Sequence, residues 1–90
     1  MIDPNDITEA LRRTNAGKLM SDEDMSRHEI RYRELYERRD AALHMLRSTP
    51  KDRSPEIDHL REQRRHALLG AENKLEDFLQ PFGLQGTVKN

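Results

Sequence analysis

The stretch STPKDRSPEIDHL, residues 48–60, decides the fold. Its two prolines and small polar residues predict a turn over 49–54. Ser54 then has the features of a helix N-cap, with Pro55 at the first helical position and acidic residues in the first turn. The serine oxygen accepts hydrogen bonds from free backbone amides, and carboxylates favour the positive end of the helix dipole. The stretch therefore predicts that a new helix begins here.

Helical periodicity extends to both sides of this turn. Ser21 is the predicted N-cap of the preceding long helix, whose acidic and basic residues recur four positions apart. Two helices joined by so short a turn fold back antiparallel. The sequence thus predicts an all-α fold in one domain of residues 1–90. Its predicted parts are a short helix over about 5–15 stopped by Asn15-Ala16-Gly17, a long helix over about 21–48, the turn 49–54, a long helix over about 55–80 and a tail over 83–90.

One apolar stripe on each long helix predicts the seam between them. If the turn is centred midway along residues 48–55, facing residues have numbers that sum to about 103. This register places Leu35 opposite Leu68, as interdigitating side chains require. An arginine interrupts each stripe, and the same register places these two residues, Arg39 and Arg64, opposite each other.

Two guanidinium groups in a partly dry seam repel, and neither can lose its proton. Three arrangements would relieve the repulsion. The charged groups reach outward to nearby carboxylates; a carboxylate from another copy lies between them; or Arg39 and Arg64 clamp a phosphate or carboxylate while Tyr32 or Tyr36 stacks on a base. These four residues form the predicted anion-binding set.

The histidines suggest a weaker, competing site. His59, Glu62 and His66 lie along one face of the second long helix, and the predicted register brings His44 near His59. These residue types are suitable zinc ligands. A solvated helix face with salt bridges explains the same pattern, and the prediction is that the protein holds neither a metal nor a cofactor.

Composition narrows the function classes. A net charge of −1 argues against general nucleic-acid binding. The chain lacks a glycine-rich phosphate loop, a nucleophile elbow and a converging group of acids, so we expect no enzymatic activity. It also lacks cysteine, a basic-then-apolar leader and any apolar run near the roughly 20 residues of a membrane span. We therefore expect a cytoplasmic protein without membrane contact.

Several features predict assembly. With 90 residues and 33% hydrophobic composition, the chain has a modest core of its own. Gly70, with Ala67 and Ala71, forms a smooth patch that admits either another helix or the ring of Tyr32. Some apolar residues also lie off the main stripes, where an isolated hairpin would expose them to solvent: Ile30, Met45, Leu69, Leu79 and Phe82. We expect a homo-oligomer, or a heterologous protein partner.

A further pattern comprises Arg31-Tyr32, Leu35, Leu46, Pro50 with its polar turn, Glu56, Ala67-Leu68-Leu69, Ala71 and Leu75. Over residues 21–79 it resembles the helical-hairpin domain of phage anti-CBASS proteins, oligomeric sponges for cyclic oligonucleotide signals. The resemblance implies ligand pockets between hairpins. The family's aromatic-and-histidine signature is missing from the corresponding LRRTNAGKLM, residues 11–20, so no binding residue is carried over.

Two functions follow as expectations. The first is a non-catalytic interaction or inhibitory protein, of the kind that small phage or mobile-element genes encode, which docks its hairpin on a protein partner. The second is an anti-defence sponge that binds a cyclic nucleotide through paired arginines.

Overall fold

A computed structural model describes residues 2–84 and confirms the all-α hairpin. Its elements are helix α1 (Ile7–Arg12), helix α2 (Asn15–Lys18), helix α3 (Asp22–Arg47), helix α4 (Pro55–Leu79) and a 3-10 turn (Gln80–Phe82). The long helices α3 and α4 lie antiparallel, and α1 and α2 pack near the open end of the hairpin. The predicted tail lies mostly outside the described residues. Within 2–84, no helix has both the length and the apolar character needed to cross a bilayer.

The predicted starts of both long helices are confirmed. The Ser21 hydroxyl accepts a hydrogen bond from the backbone amide of Asp24 at 3.2 Å. The Ser54 hydroxyl accepts one from the amide of Ile57 at 3.2 Å, and Pro55 occupies the first turn. Both caps satisfy amides that have no partner inside the helix. These boundaries are set by local chemistry.

The predicted end of the N-terminal helix is wrong. Helix α1 ends at Arg12, and Thr14 begins α2 instead of extending α1. The Thr14 hydroxyl donates to the carbonyl of Leu11 at 2.6 Å and accepts from the amide of Gly17 at 2.9 Å. Threonine hydroxyls compete in this way with helical backbone bonding. Residues 15–17, predicted to be a stop, are therefore the start of a second short helix.

The core lies at one end of the molecule, which we call the core end. Its buried apolar residues are Ile7, Leu11, Met25, Tyr32, Leu35, Leu75 and Leu79. Leu79 and Phe82 were predicted to need a partner for cover, and this is wrong: Leu79 is 3% exposed, and Phe82 packs against the core. The short helices supply this cover. The periodicity of the sequence did not predict where they would pack.

The other end, the tip half (residues 40–70), is built differently. Within this range the one residue that is buried is Thr49, and its apolar seam residues are only half-buried. A pair of helices forms a single layer, and a single layer cannot enclose a core. The molecule measures 53 × 25 × 16 Å, as an extended hairpin should. The tip half therefore has seam contacts but no core of its own.

The predicted register is wrong by about two helical turns. The rings of Tyr32 and Phe78 lie 5.5 Å apart, and a guanidinium nitrogen of Arg64 lies 2.9 Å from the carbonyl oxygen of Met45. Facing residues therefore have numbers summing to about 110, not 103. A shift of seven residues brings the same stripes face to face. Their pairing changes, although the buried faces do not.

The connection between the long helices explains the shift. Thr49 and Ser54 each precede a proline, which disfavours helical backbone at those residues. Ser54 is extended, with φ −109° and ψ 156°. The connection therefore runs past the end of α3 before α4 begins, and Arg61 of α4 donates a hydrogen bond back to the carbonyl of Pro50, at 2.9 Å.

Candidate functional site

The two arginines of the predicted anion site are held apart. Arg64 donates from Nη1 to the Met45 carbonyl at 2.9 Å and to the Thr49 hydroxyl at 3.0 Å. These acceptors lie at the C-terminal end of α3, where carbonyls lack intrahelical partners and the helix dipole is negative. The guanidinium of Arg64 therefore acts as a cap of the neighbouring helix.

Arg39 has a different environment. Its Nη1 donates to the carboxylate of Asp40 at 3.1 Å, and its guanidinium carbon lies 5.8 Å from the ring centre of Tyr36. The observed register places Arg39 about seven residues, or roughly 10 Å along the axis, from the position opposite Arg64. The predicted juxtaposition of Arg39 and Arg64 is thus corrected. Arg39 therefore adopts the first of the three arrangements considered for the sequence, in which the guanidinium group reaches outward to a nearby carboxylate.

Both arginines carry a buried Nε atom that has no hydrogen-bond partner within the described residues. An unsatisfied buried donor costs free energy. Arg64 offsets this cost with two hydrogen bonds, whereas Arg39 has one bond to a largely exposed carboxylate. The two residues therefore differ in their expected contribution to stability.

Leucine substitutions should reveal this difference. Arg39→Leu is expected to leave the free energy of unfolding unchanged or raise it, because it removes an unsatisfied donor from the seam. Arg64→Leu is expected to lower it by about 1–2 kcal/mol, because the end of α3 loses its cap. Urea denaturation of the two variants measures both values. Equal effects of the same sign would contradict these assignments.

The two tyrosines of the predicted site are also unequal. Tyr32 is fully buried, and its hydroxyl donates to the backbone carbonyl of Ile2 at 2.5 Å. Its ring has no exposed face on which a base could stack. Tyr36 is half-buried, with its ring centre 6.1 Å from that of Tyr32. Tyr32 is a core residue that ties the start of the chain to α3.

Burial raises the pKa of Tyr32 to about 12 from an ordinary value of 10.0, with a smaller contribution from Tyr36. A raised pKa means that the folded state retains a proton that the unfolded state loses, so stability is lost as the pH rises from about 10 to about 12. We expect the unfolding free energy of the wild type to fall more steeply over this interval than that of Tyr32→Phe. Tyr36→Phe, the control, should retain the steep fall; identical profiles for wild type and Tyr32→Phe would contradict the prediction.

The histidine residues do not converge. His66 lies 3.2 Å from the carboxylate of Glu62, and a ring nitrogen of His59 lies 3.2 Å from the amide nitrogen of Gln63. His44 is exposed on α3. Within residues 2–84 there is no group of three or more His, Cys, Asp or Glu side chains that could hold a metal ion. The arrangement is that of a solvated helix face.

A groove that sequence reasoning did not identify runs along one face of the hairpin. The α3 wall contains Leu35, Arg38 and Ala42, and the α4 wall contains Ala67, Gly70, Ala71 and Lys74, around a hollow of about 290 Å³. Towards the tip it continues into a second hollow lined by Ala42, Met45, Leu60, Gln63, Arg64 and Ala67. Both hollows have largely apolar linings. The shift in register creates this groove, because it brings small residues together across the seam.

Packing against the residues that the structure describes does not explain Gly70. A Cβ atom built at this position would meet nothing within 4 Å. The sequence left two explanations open for the glycine, a close fit to Tyr32 or the approach of another helix. Tyr32 lies against Phe78 instead. The first explanation is therefore wrong, and the groove has space above Gly70.

Charge is distributed unevenly around the groove. Arg38 on one wall and Lys74 on the other are exposed, and neither forms an ion pair within residues 2–84. In the adjoining hollow near the core end, Asp77 is the acidic residue beside Arg31 and Lys74. The groove thus has an apolar floor and a mainly basic rim.

Comparison with known proteins adds nothing to the groove and the side-chain contacts described above. The resemblance to the anti-CBASS hairpin stays a prediction. No protein-family model, curated protein or solved structure matches the chain.

Proposed function

We propose that the protein is a non-catalytic interaction protein that docks the tip half of its hairpin on another protein chain. The observation that carries the proposal is the absence of any buried apolar side chain over residues 40–70 as the structure describes them. A single layer of two helices gains stability when a second layer covers it. A partner would supply that layer.

The groove is suited to receive a helix. Ala42, Ala67 and Gly70 allow a partner backbone to approach closely, while Met45 and Leu60 offer apolar contact nearer the tip. Met45 is 49% exposed, so part of this contact surface is open to water in the isolated chain. Docking of this kind can inhibit a partner by covering its surface, without any chemical step.

A library of displayed helical peptides, selected on the immobilised protein, tests the proposal. The selected peptides should share apolar residues at helical spacing, the pattern of helices that bind in grooves. Met45→Glu in the groove should abolish their binding. Ile30→Glu, a matched change of an exposed apolar residue that does not line the groove, should leave it intact. Peptides that bind both variants equally would refute the proposal.

The second candidate function is a sponge for an anionic nucleotide. The unpaired cations Arg38 and Lys74 favour it, because they could pair with phosphate groups. Thermal melting with a panel of cyclic nucleotides distinguishes it, because a ligand that binds only the folded state raises the melting temperature. A rise of several degrees with any of them would favour the sponge. An unchanged melt across the panel would exclude it.

Gly70→Ala separates stability from binding. We expect the substitution to raise the free energy of unfolding by about 1 kcal/mol, because alanine is the better helix former and the new methyl group meets no neighbour. The same methyl group occupies the groove and should weaken binding of the selected peptides. Urea denaturation and peptide titration measure the two effects. A loss of stability would show that Gly70 has an internal packing role.

A further inference from the structure

We infer that the groove takes an acidic amphipathic helix from a different protein, and not a second copy of this chain. The inference rests on the proposed function and adds the chemistry of the partner. It depends on the charges at the rim of the groove, on the arrangement of its floor, and on the symmetry that self-association would impose.

The charges at the rim favour an acidic partner. On other faces, several exposed arginines pair with a carboxylate one turn away, as in Arg27 with Glu23 at 2.8 Å and Arg65 with Glu62 at 3.0 Å, whereas exposed arginines such as Arg12 and Arg47 are scattered singly and form no ion pair within the described residues. Arg38 and Lys74 have no such partner within residues 2–84, and they stand on opposite walls of the same hollow. An occupant with carboxylates on both flanks would pair with both walls at once.

The floor of the groove determines which side chains the partner helix carries between its flanking carboxylates. The hollow between Arg38 and Lys74 is lined by small or aliphatic residues, namely Leu35, Ala42, Ala67, Gly70 and Ala71. Its α3 wall extends from residue 35 to residue 45, roughly 15 Å or three helical turns. The complementary segment is a helix with an apolar stripe of about that length and acidic residues beside it.

Symmetry argues against a second copy. Dimers of identical chains commonly have two-fold symmetry, in which the same patch lies on both sides of the interface. Two such grooves packed face to face would bring the basic rim of one copy, Arg38 and Lys74, towards the basic rim of the other, and like charges at an interface oppose association. A foreign acidic helix avoids this repulsion.

Two synthetic peptides test the inference on the full chain. Both are about 18 residues, or five turns, with one leucine stripe in common; one carries glutamate on both flanks of the stripe and the other lysine. We expect the glutamate peptide to bind at least about tenfold more tightly at low salt, and the difference to shrink in high salt. The double variant Arg38→Glu with Lys74→Glu should reverse the order of affinities.

Other outcomes overturn the inference in distinguishable ways. Equal binding of the two peptides, lost in Met45→Glu, would remove the acidic preference and leave the proposed function standing. Failure of the glutamate peptide to bind would also refute the inference. A dimer found by light scattering at tens of micromolar, and dissociated by Met45→Glu, would assign the groove to a second copy. The proposed function itself fails if the selected peptides prove insensitive to Met45→Glu.

Discussion

Replacing Gly17 with alanine is expected to lower the free energy of unfolding by about 3 kcal/mol or more, a severe form of overpacking. A Cβ atom at this position would lie 1.7 Å from the carbonyl oxygen of Leu11 and 2.9 Å from the hydroxyl of Thr14. The first obstacle is backbone, which cannot move aside as the end of a flexible side chain can. The glycine is buried because α1 and α2 meet there.

The expected damage extends beyond one contact. Leu11 is fully buried in the core, so displacing its carbonyl disturbs the packing of α1 on the hairpin. The Thr14 hydroxyl, which bonds both Leu11 and Gly17, would lose its geometry at the same time. A core as small as this one has little stability in reserve.

Thermal and urea denaturation of Gly17→Ala measure the effect, with Gly70→Ala as the matched control. Both changes add one methyl group to a helical glycine, and alanine is intrinsically the better helix former in each case. We expect opposite signs, because Gly17 has backbone against it and Gly70 has open space. Stabilisation by both substitutions would show that α1 and α2 do not pack as described.

Leu75→Ala is expected to have a comparably large effect, a loss of about 3 kcal/mol. Leu75 is fully buried in the core end, so truncation removes apolar contacts and leaves a cavity. Leu68, two turns earlier on the same helix, is only half-buried in the tip half. Leu68→Ala should cost much less, about 1 kcal/mol, since water already reaches that side chain.

The comparison tests where the core lies, because the two substitutions remove the same atoms from the same helix. Urea denaturation midpoints, with the slope of the transition checked for each variant, provide the measurement. Equal losses for Leu75→Ala and Leu68→Ala would mean that the tip half is as well packed in solution as the core end. In that event a second layer already covers the tip half, which would point to self-association.

The two long helices and their starts could be predicted because they depend on neighbours in sequence. Ser21 and Ser54 cap amides three residues away, and Pro55 has the backbone angle that the first turn requires. The stripes that face across the seam were also correctly identified. They survive the error in register because seven residues span two turns of a helix.

The site could not be predicted, because it depends on how far the connection between the helices extends. A shift of α4 by two turns separates Arg39 from Arg64 and lets Arg64 donate to the carbonyl of Met45. The same shift leaves open space beside Gly70. The extended backbone of Ser54, just before Pro55, helps to set this distance, and the periodicity of the helices does not predict it. Within residues 2–84, Arg39 and Arg64 consequently do not form the preformed pair that the predicted nucleotide clamp requires.

The sequence by itself determined the fold class, the two long helices and the faces they bury, because capping and periodicity act over a few residues. Only the tertiary structure decided the register, the requirement for glycine at position 17 and the position of the core at one end. These features depend on contacts between segments distant in the chain. Sliding one long helix along the other by one or two turns keeps the same faces together but changes which residues are in contact. The basic-rimmed groove belongs to this second group, since it arises where the two stripes meet in their actual register.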